Sequence, residues 1–200
     1  MDGKIVGVLL AGGMSRRFGS AKSFAEKDGK PFYHWSIEAL RPMADALIVI
    51  TNDDLKEKFN DEVDMDVFTD VENYSGKGPL AGIYTAMVHR EASWYAIIPT
   101  DVPFIESKVF ERLWDERKEG VQAVIPVVNG KFQPLIGLYH HTLKPTIREL
   151  LEDDRLMMRA LLDKVETQYV PFVEETPFIN INERKDYDVH IRDGLRDNDA

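Results

Sequence analysis

The chain has 200 residues, a formal charge of −10 and no cysteine. A chain this long can bury one sizeable core, and its ordinary shares of apolar, charged, glycine and proline residues are those of a water-soluble globular protein. The absence of cysteine excludes a disulfide framework, a thiolate metal site and a thiol nucleophile, and so acidic a balance with no basic face argues against a general nucleic-acid binder.

Met1-Asp2-Gly3-Lys4 runs straight into a short apolar segment at Ile5–Leu10. That segment is too short to span a bilayer and ends in glycines instead of a signal-peptidase pattern, so a cytoplasmic protein with no membrane contact is expected. An unbroken apolar run of this length suits a strand buried on both faces. Residues 46–50 and 94–98 have the same character, and residues 121–128 form a fourth run with Pro126 near its end. Between these runs, Phe32, Trp35 and Ala39 keep helical spacing after Pro31, which suits a first helical turn. Leu80, Ile83 and Met87 repeat the pattern, as do Phe110, Leu113 and Arg117, with Ser107 expected as an N-cap. Asn129-Gly130 signals a tight turn, with residues 132–139 returning as one strand. Helices are expected near residues 143–151 and 156–162, and short strands near 168–172 and 178–181.

Strands alternating with helices of about ten residues mean βαβ units. The expected fold class is therefore α/β, a three-layer sandwich with a mostly parallel, doubly wound sheet and one antiparallel strand. With no internal repeat and no linker, residues 1–182 are read as one domain. Residues 183–200 are dense in charge and are read as a C-terminal helix giving way to a disordered polar tail.

In such a sheet, ligands bind at the carboxyl ends of the strands. The first such end carries Leu10-Ala11-Gly12-Gly13-Met14-Ser15-Arg16-Arg17-Phe18-Gly19-Ser20-Ala21-Lys22. Glycines that allow close backbone approach, the Ser15 hydroxyl and the cations Arg16, Arg17 and Lys22 suit a triphosphate; the bland alternative is a glycine turn beside a solvated basic patch. The loop is neither a Walker A motif nor a GxGxxG fingerprint. A second cluster runs from Asp70 to Gly82, where Gly76, Gly78 and Pro79 make either a base-recognising loop or a simple helix-start turn. In the third, Pro99-Thr100-Asp101-Val102-Pro103, the Asp101 carboxylate is a turn former or a hard oxygen ligand of the kind Mg²⁺ takes. In the fourth, alternation puts Asn180 and Asn182 on one face of a short strand, as polar recognition or as a strand end. His140-His141 has no partner His or Cys nearby and is read as a surface pair, and Met157-Met158 as core packing.

The first cluster resembles the LAGG-x-S-x-R-M-G-x-x-K signature of the molybdenum cofactor guanylyltransferases, members of the nucleotidyltransferase superfamily. Phe18 departs from the family's usual methionine. Gly78 to Gly82 match its GPLAG segment letter for letter, and Asn180 and Asn182 match its N-x-N, although Glu183-Arg184 replaces the usual Thr-Pro. The resemblance covers residues 5–182 and implies a Rossmann-like nucleotidyltransferase fold and the transfer of GMP from GTP to the phosphate of molybdopterin. By the same resemblance, Leu10, Ala11, Gly12, Gly13, Lys22, Asn52, Asp70, Gly78, Pro79, Leu80 and Asp101 bind GTP. Asp101 holds Mg²⁺, Arg16, Lys22 and Asp101 are catalytic, and Asn180 and Asn182 lie near the acceptor. Implied partners are GTP, molybdopterin and, in transient contact, cofactor-synthesis proteins. The alternatives are a cytidylyltransferase or sugar-phosphate nucleotidyltransferase of the same fold, or a non-catalytic nucleotide or cofactor adapter. Two residues decide the matter structurally: Lys22 and Asp101 must share one cavity.

Overall fold

The computed structural model describes residues 3–13, 18 and 21–192. Ile5–Leu10 is β1, and a small hairpin of β2 (Glu26–Lys27) and β3 (Lys30–Pro31) leads into α1 (Phe32–Leu40). Next come β4 (Ala46–Thr51), α2 (Asp53–Glu62), β5 (Asp66–Thr69), α3 (Pro79–His89), β6 (Trp94–Pro99) and α4 (Ser107–Glu116). The remaining elements are β7 (Ala123–Val128), β8 (Lys131–Phe132), β9 (Gly137–His140), α5 (Lys144–Glu152), α6 (Met158–Leu162), β10 (Thr167–Phe172) and α7 (Arg184–Tyr187).

The main sheet has the order β10-β7-β9-β6-β1-β4-β5, with β8 also paired to β7. Pairing is parallel from β6 through β1 and β4 to β5, and again between β7 and β10. Strand β9 runs antiparallel between β6 and β7. Alternate residues feed two cores. Ile5 and Leu9 of β1 pack with Ile37 and Leu40 of α1 and Phe110 and Leu113 of α4. Val6 and Val8 face the other way, toward Leu80 and Ile83 of α3, Ile147 of α5 and Leu161 of α6. Each such side chain removed from water contributes roughly 1.5–3 kcal/mol, which is why the strands need apolar residues on both faces. The expected three-layer α/β sandwich is the observed one.

Several details differ from the sequence reading. The return strand expected over 132–139 is split into β8 and β9. Asn129 and Gly130 do make the tight turn, both at positive φ (49° and 72°). However, along β7 the strand β8 pairs only with Val127 and Val128 and β9 only with Ala123 and Val124, and the gap falls beside Pro126. Proline has no N–H to give a ladder; its carbonyl instead accepts from the Gln133 N–H at 3.0 Å. The short strand expected at 178–181 is absent: Thr176–Phe178 is a 3-10 turn, followed by irregular chain. The cap of α4 is Glu106, with Ser107 as its first residue. Of the methionine pair only Met158 is core; Met157 is 72 % exposed. Strand β5 and helix α2 were not foreseen, because only Phe59 of α2 is buried and β5 has four residues.

Candidate active site

The carboxyl ends of β1, β4 and β6 open onto a crevice of about 820 Å³, lined among others by Gly12, Lys22, Asn52, Asp70, Gly78 and Asp101. That volume lies within the usual range for small-molecule and cofactor sites. At one end Lys22 and Asp101, 79 residues apart in the chain, meet with Nζ 3.0 Å from Oδ2. The same ammonium donates to Asn182 Oδ1 at 2.9 Å. The two side chains of the pair are only 13 % and 19 % exposed. The partner Asp101 Oδ1 is buried and has no hydrogen-bond partner among the described residues.

This pair is held by neighbours that the sequence reading missed. Ser23 follows Lys22 and Thr100 precedes Asp101, and their hydroxyls share a buried 3.0 Å hydrogen bond. Behind them, the buried Ser36 hydroxyl of α1 donates to Pro99 O at 2.8 Å. A small hydroxyl beside each charged residue is the only signal the sequence offered, and it is a weak one. Buried hydroxyls without partners cost free energy, so these bonds tie the two loops in one relative position.

Neither Gly12 nor Gly13 has positive φ. A Cβ on Gly12 would make only ordinary contacts, from 3.6 Å outward, and one on Gly13 would meet nothing within 4 Å. No contact among the described residues requires glycine at either position, and the main chain there is left open to close approach. Gly78 differs: its φ of 75° lets the chain turn sharply into α3, with Pro79 in the first helical turn.

At the other end of the crevice, Asn52 caps α2 by accepting from the Leu55 N–H at 3.1 Å, and its amide donates to Gly12 O at 3.2 Å. It therefore joins the end of β4 to the glycine loop. Asp70 Oδ2 accepts from the Gly76 N–H at 3.2 Å. Burial pushes the Asp70 carboxyl above its ordinary range, against the lowering effect of that N–H. The loop between Asp70 and Gly78 is anchored from outside. Lys77 Nζ donates to Leu151 O at 2.9 Å, at the C-terminal end of α5, and to Asp154 Oδ1 at 3.0 Å. The Tyr74 hydroxyl donates to Glu152 Oε1 at 3.3 Å.

Leu10, Gly13 and Pro79 also line the crevice, whereas Ala11 and Leu80 have their side chains in the core, 2 % and 0 % exposed. Asn182 reaches the charged pair, but the Asn180 amide turns back to donate to Phe178 O at 3.1 Å. Ser15, Arg16 and Arg17 lie outside the described residues. His140 and His141 lie together beside Trp94 (His140 ring centroid 4.8 Å from the indole), away from the crevice.

No cluster of three or more His, Cys, Asp or Glu able to hold a metal occurs among the described residues. A magnesium ion needs less, since it keeps several waters and commonly takes one or two carboxylates with substrate phosphates. The orphaned Asp101 Oδ1, with the Asn182 amide oxygen across the same ammonium, fits that donor chemistry. No helix among the described residues is long and apolar enough to cross a membrane.

The profile of the MobA-like NTP transferase domain matches residues 7–169. A protein of Bacillus cytotoxicus described as a probable molybdenum cofactor guanylyltransferase is 36 % identical over 187 residues, covering 92 % of this chain and 94 % of its own. One of Bacillus anthracis with the same description is 36 % identical over 188 residues, with the same coverage. Among solved structures, the molybdopterin-guanine dinucleotide biosynthesis protein A of Archaeoglobus fulgidus superposes with a TM-score of 0.81 at 22 % identity, over 96 % of this chain and 99 % of that one. A crevice of this shape on this sheet, together with sequence relatives that match along nearly the whole length, makes the chain a nucleotidyltransferase belonging to the MobA-like NTP transferase family.

Proposed function

We propose that this enzyme transfers GMP from GTP to the phosphate of molybdopterin, releasing pyrophosphate, with Mg²⁺ as its cofactor. The observation that carries the reading is the meeting of Lys22, Asp101 and Asn182 at one end of a nucleotide-sized crevice whose other end is the Gly78–Gly82 turn. The descriptions of the Bacillus relatives support the same substrates.

The acceptor phosphate is already an anion near neutral pH, so it attacks the α-phosphorus without a general base. A new P–O bond forms as the α–β bridge breaks, and pyrophosphate carries away the electron pair. Such transfers leave the protein mainly positioning and charge stabilisation. Lys22 covers the α-phosphate and the leaving pyrophosphate. The open main chain at Gly12 and Gly13 lets phosphate oxygens approach backbone N–H groups. Gly78 and Pro79 set the edge against which guanine lies, with Asp70 and Asn52 on the nucleoside. Asp101 and Asn182 are the side chains that would hold magnesium. When bound, that ion neutralises charge on phosphate oxygens.

The test is pyrophosphate release with molybdopterin and each of GTP, CTP, ATP and UTP. Release with GTP alone is expected. Equal rates with CTP would remove the guanine assignment, and no release with any nucleotide would remove the transfer reaction.

Lys77 gives a second prediction. Its two hydrogen bonds fasten the base-side loop to the end of α5. Lys77→Met is expected to weaken GTP binding about fivefold, from loss of roughly 1 kcal/mol of loop ordering, with kcat nearly unchanged. Titration of GTP against steady-state kinetics separates the two, and an unchanged dissociation constant would show that the loop orders without the lysine.

A further inference from the structure

The chain after Ile181 reads in sequence as a charged appendage, and it lies beyond the part matched by the family profile. Its geometry is different. The Tyr187 ring meets Phe18 edge-on, centroids 6.0 Å apart, and stacks on Phe32 at 6.1 Å. The Tyr187 hydroxyl donates to Glu26 O at 2.8 Å, in the hairpin that follows Lys22. Phe18, Phe32, Ile181 and Ile191 form a third buried cluster, separate from the two cores on the sheet. Phe18, which lies between Gly13 and Lys22 in the chain, is 5 % exposed. One residue before Tyr187, Asp186 Oδ2 accepts from the N–H groups of Asn182 and Glu183, each at 2.9 Å. Those two bonds hold its carboxyl below the ordinary range. The Ile181 N–H in turn donates to Asp101 O at 2.8 Å.

Arg184–Tyr187 and the π-helical stretch Asp188–Arg192 that continues it are together too short to be stable alone. Here α7 is fixed by what it touches, which is Phe18, Phe32 and Glu26 on one side and Asn182 and Glu183 on the other. We propose that α7 is a positioning strap of the transfer site, in which Tyr187 holds Phe18 between Gly13 and Lys22 and Asp186 sets Asn182 against Lys22. The inference rests on the guanylyl-transfer reading above. Its physical basis is preorganisation: a segment anchored at Phe18 before nucleotide arrives pays less on binding, and a misplacement of about 1 Å at a reacting group can cost about 10²-fold in rate.

The experiment uses the full chain with Tyr187→Ala, Tyr187→Phe, Asp186→Ala and Asp186→Asn. Three quantities are read: hydrogen exchange over residues 11–24 without ligand, the GTP dissociation constant without acceptor, and kcat per folded molecule. Tyr187→Ala is expected to speed exchange in that loop and weaken GTP binding about tenfold, and Tyr187→Phe, which keeps the ring, to recover most of both. Asp186→Ala is expected to leave GTP binding within about twofold but lower kcat about tenfold, with partial recovery in Asp186→Asn, whose amide oxygen still accepts. A purely structural tail would lower the melting temperature and the folded fraction while leaving exchange in the loop, the dissociation constant and kcat per folded molecule at wild-type values; that result overturns the strap. The two readings fail separately. If wild type releases no pyrophosphate from GTP but Tyr187→Ala still loosens the loop, the reaction assignment falls and the strap stands. If wild type turns over and Tyr187→Ala matches it in all three quantities, the strap falls alone.

Discussion

Lys22→Ala is expected to lower turnover by about 10²-fold or more, the scale for deleting one preorganised contact to charge that develops in a transition state. In the proposed reaction the ammonium meets negative charge moving onto the leaving pyrophosphate. Its loss should therefore reduce kcat more than it raises KM for GTP. The variant also leaves Asp101 without its 3.0 Å partner in a largely buried position. Loss of a hydrogen bond to a charged group costs roughly 1.5–3 kcal/mol, which a stable domain tolerates. Circular dichroism and melting temperature measured beside turnover separate the two effects. Lys22→Arg is not expected to restore activity, because a planar guanidinium cannot replace a compact ammonium seated between one carboxylate and one amide oxygen. Near-normal turnover of the alanine variant would remove Lys22 from the mechanism.

Asp101→Asn carries the other large effect: magnesium-dependent turnover is expected to vanish while the fold persists. The side chains are nearly isosteric, and the amide oxygen can still accept from Lys22. The amide nitrogen then occupies the place of the buried, unpartnered Oδ1, at a cost of about 1–3 kcal/mol for an unsatisfied donor. What disappears is the negative charge and the hard anionic oxygen that a divalent ion requires. Turnover titrated with MgCl₂ on a protein shown to be folded gives the answer. A variant that retains magnesium-dependent activity would take the metal away from Asp101. A variant that unfolds would give this carboxylate a structural duty, as the charge partner that keeps Lys22 and its loop in place.

Placement of the strands at Ile5–Leu10, Ala46–Thr51 and Trp94–Pro99 was legible because burial on both faces leaves an unbroken apolar run. The loops at their carboxyl ends could be located for the same reason, and with them Gly12, Lys22, Asn52 and Asp101. Helix α2 was not legible: Leu55 and Phe59 keep helical spacing, but most of its surface faces water, and its capping residue Asn52 was assigned, by the resemblance, to the nucleotide instead of to a helix start. The position of β9 between β6 and β7 could not be read either, since nothing local in Gly137–His140 names the two strands whose edges it joins.

By itself, the sequence determined the α/β class, the strand ends where chemistry collects and the family resemblance, because periodicity, glycine spacing and short motifs are properties of neighbouring residues. Tertiary structure alone decided which of the candidates meet. It brought Lys22 to Asp101 and Asn182, turned Asn180 aside to its own chain, and made Ser23 and Thr100 a buried link. It also folded Tyr187 of an apparently loose tail against Phe18 and Phe32. Contacts between residues 77 to 169 positions apart depend on how a twisted sheet closes around two cores, and no stretch of chain short enough to show a pattern contains both partners.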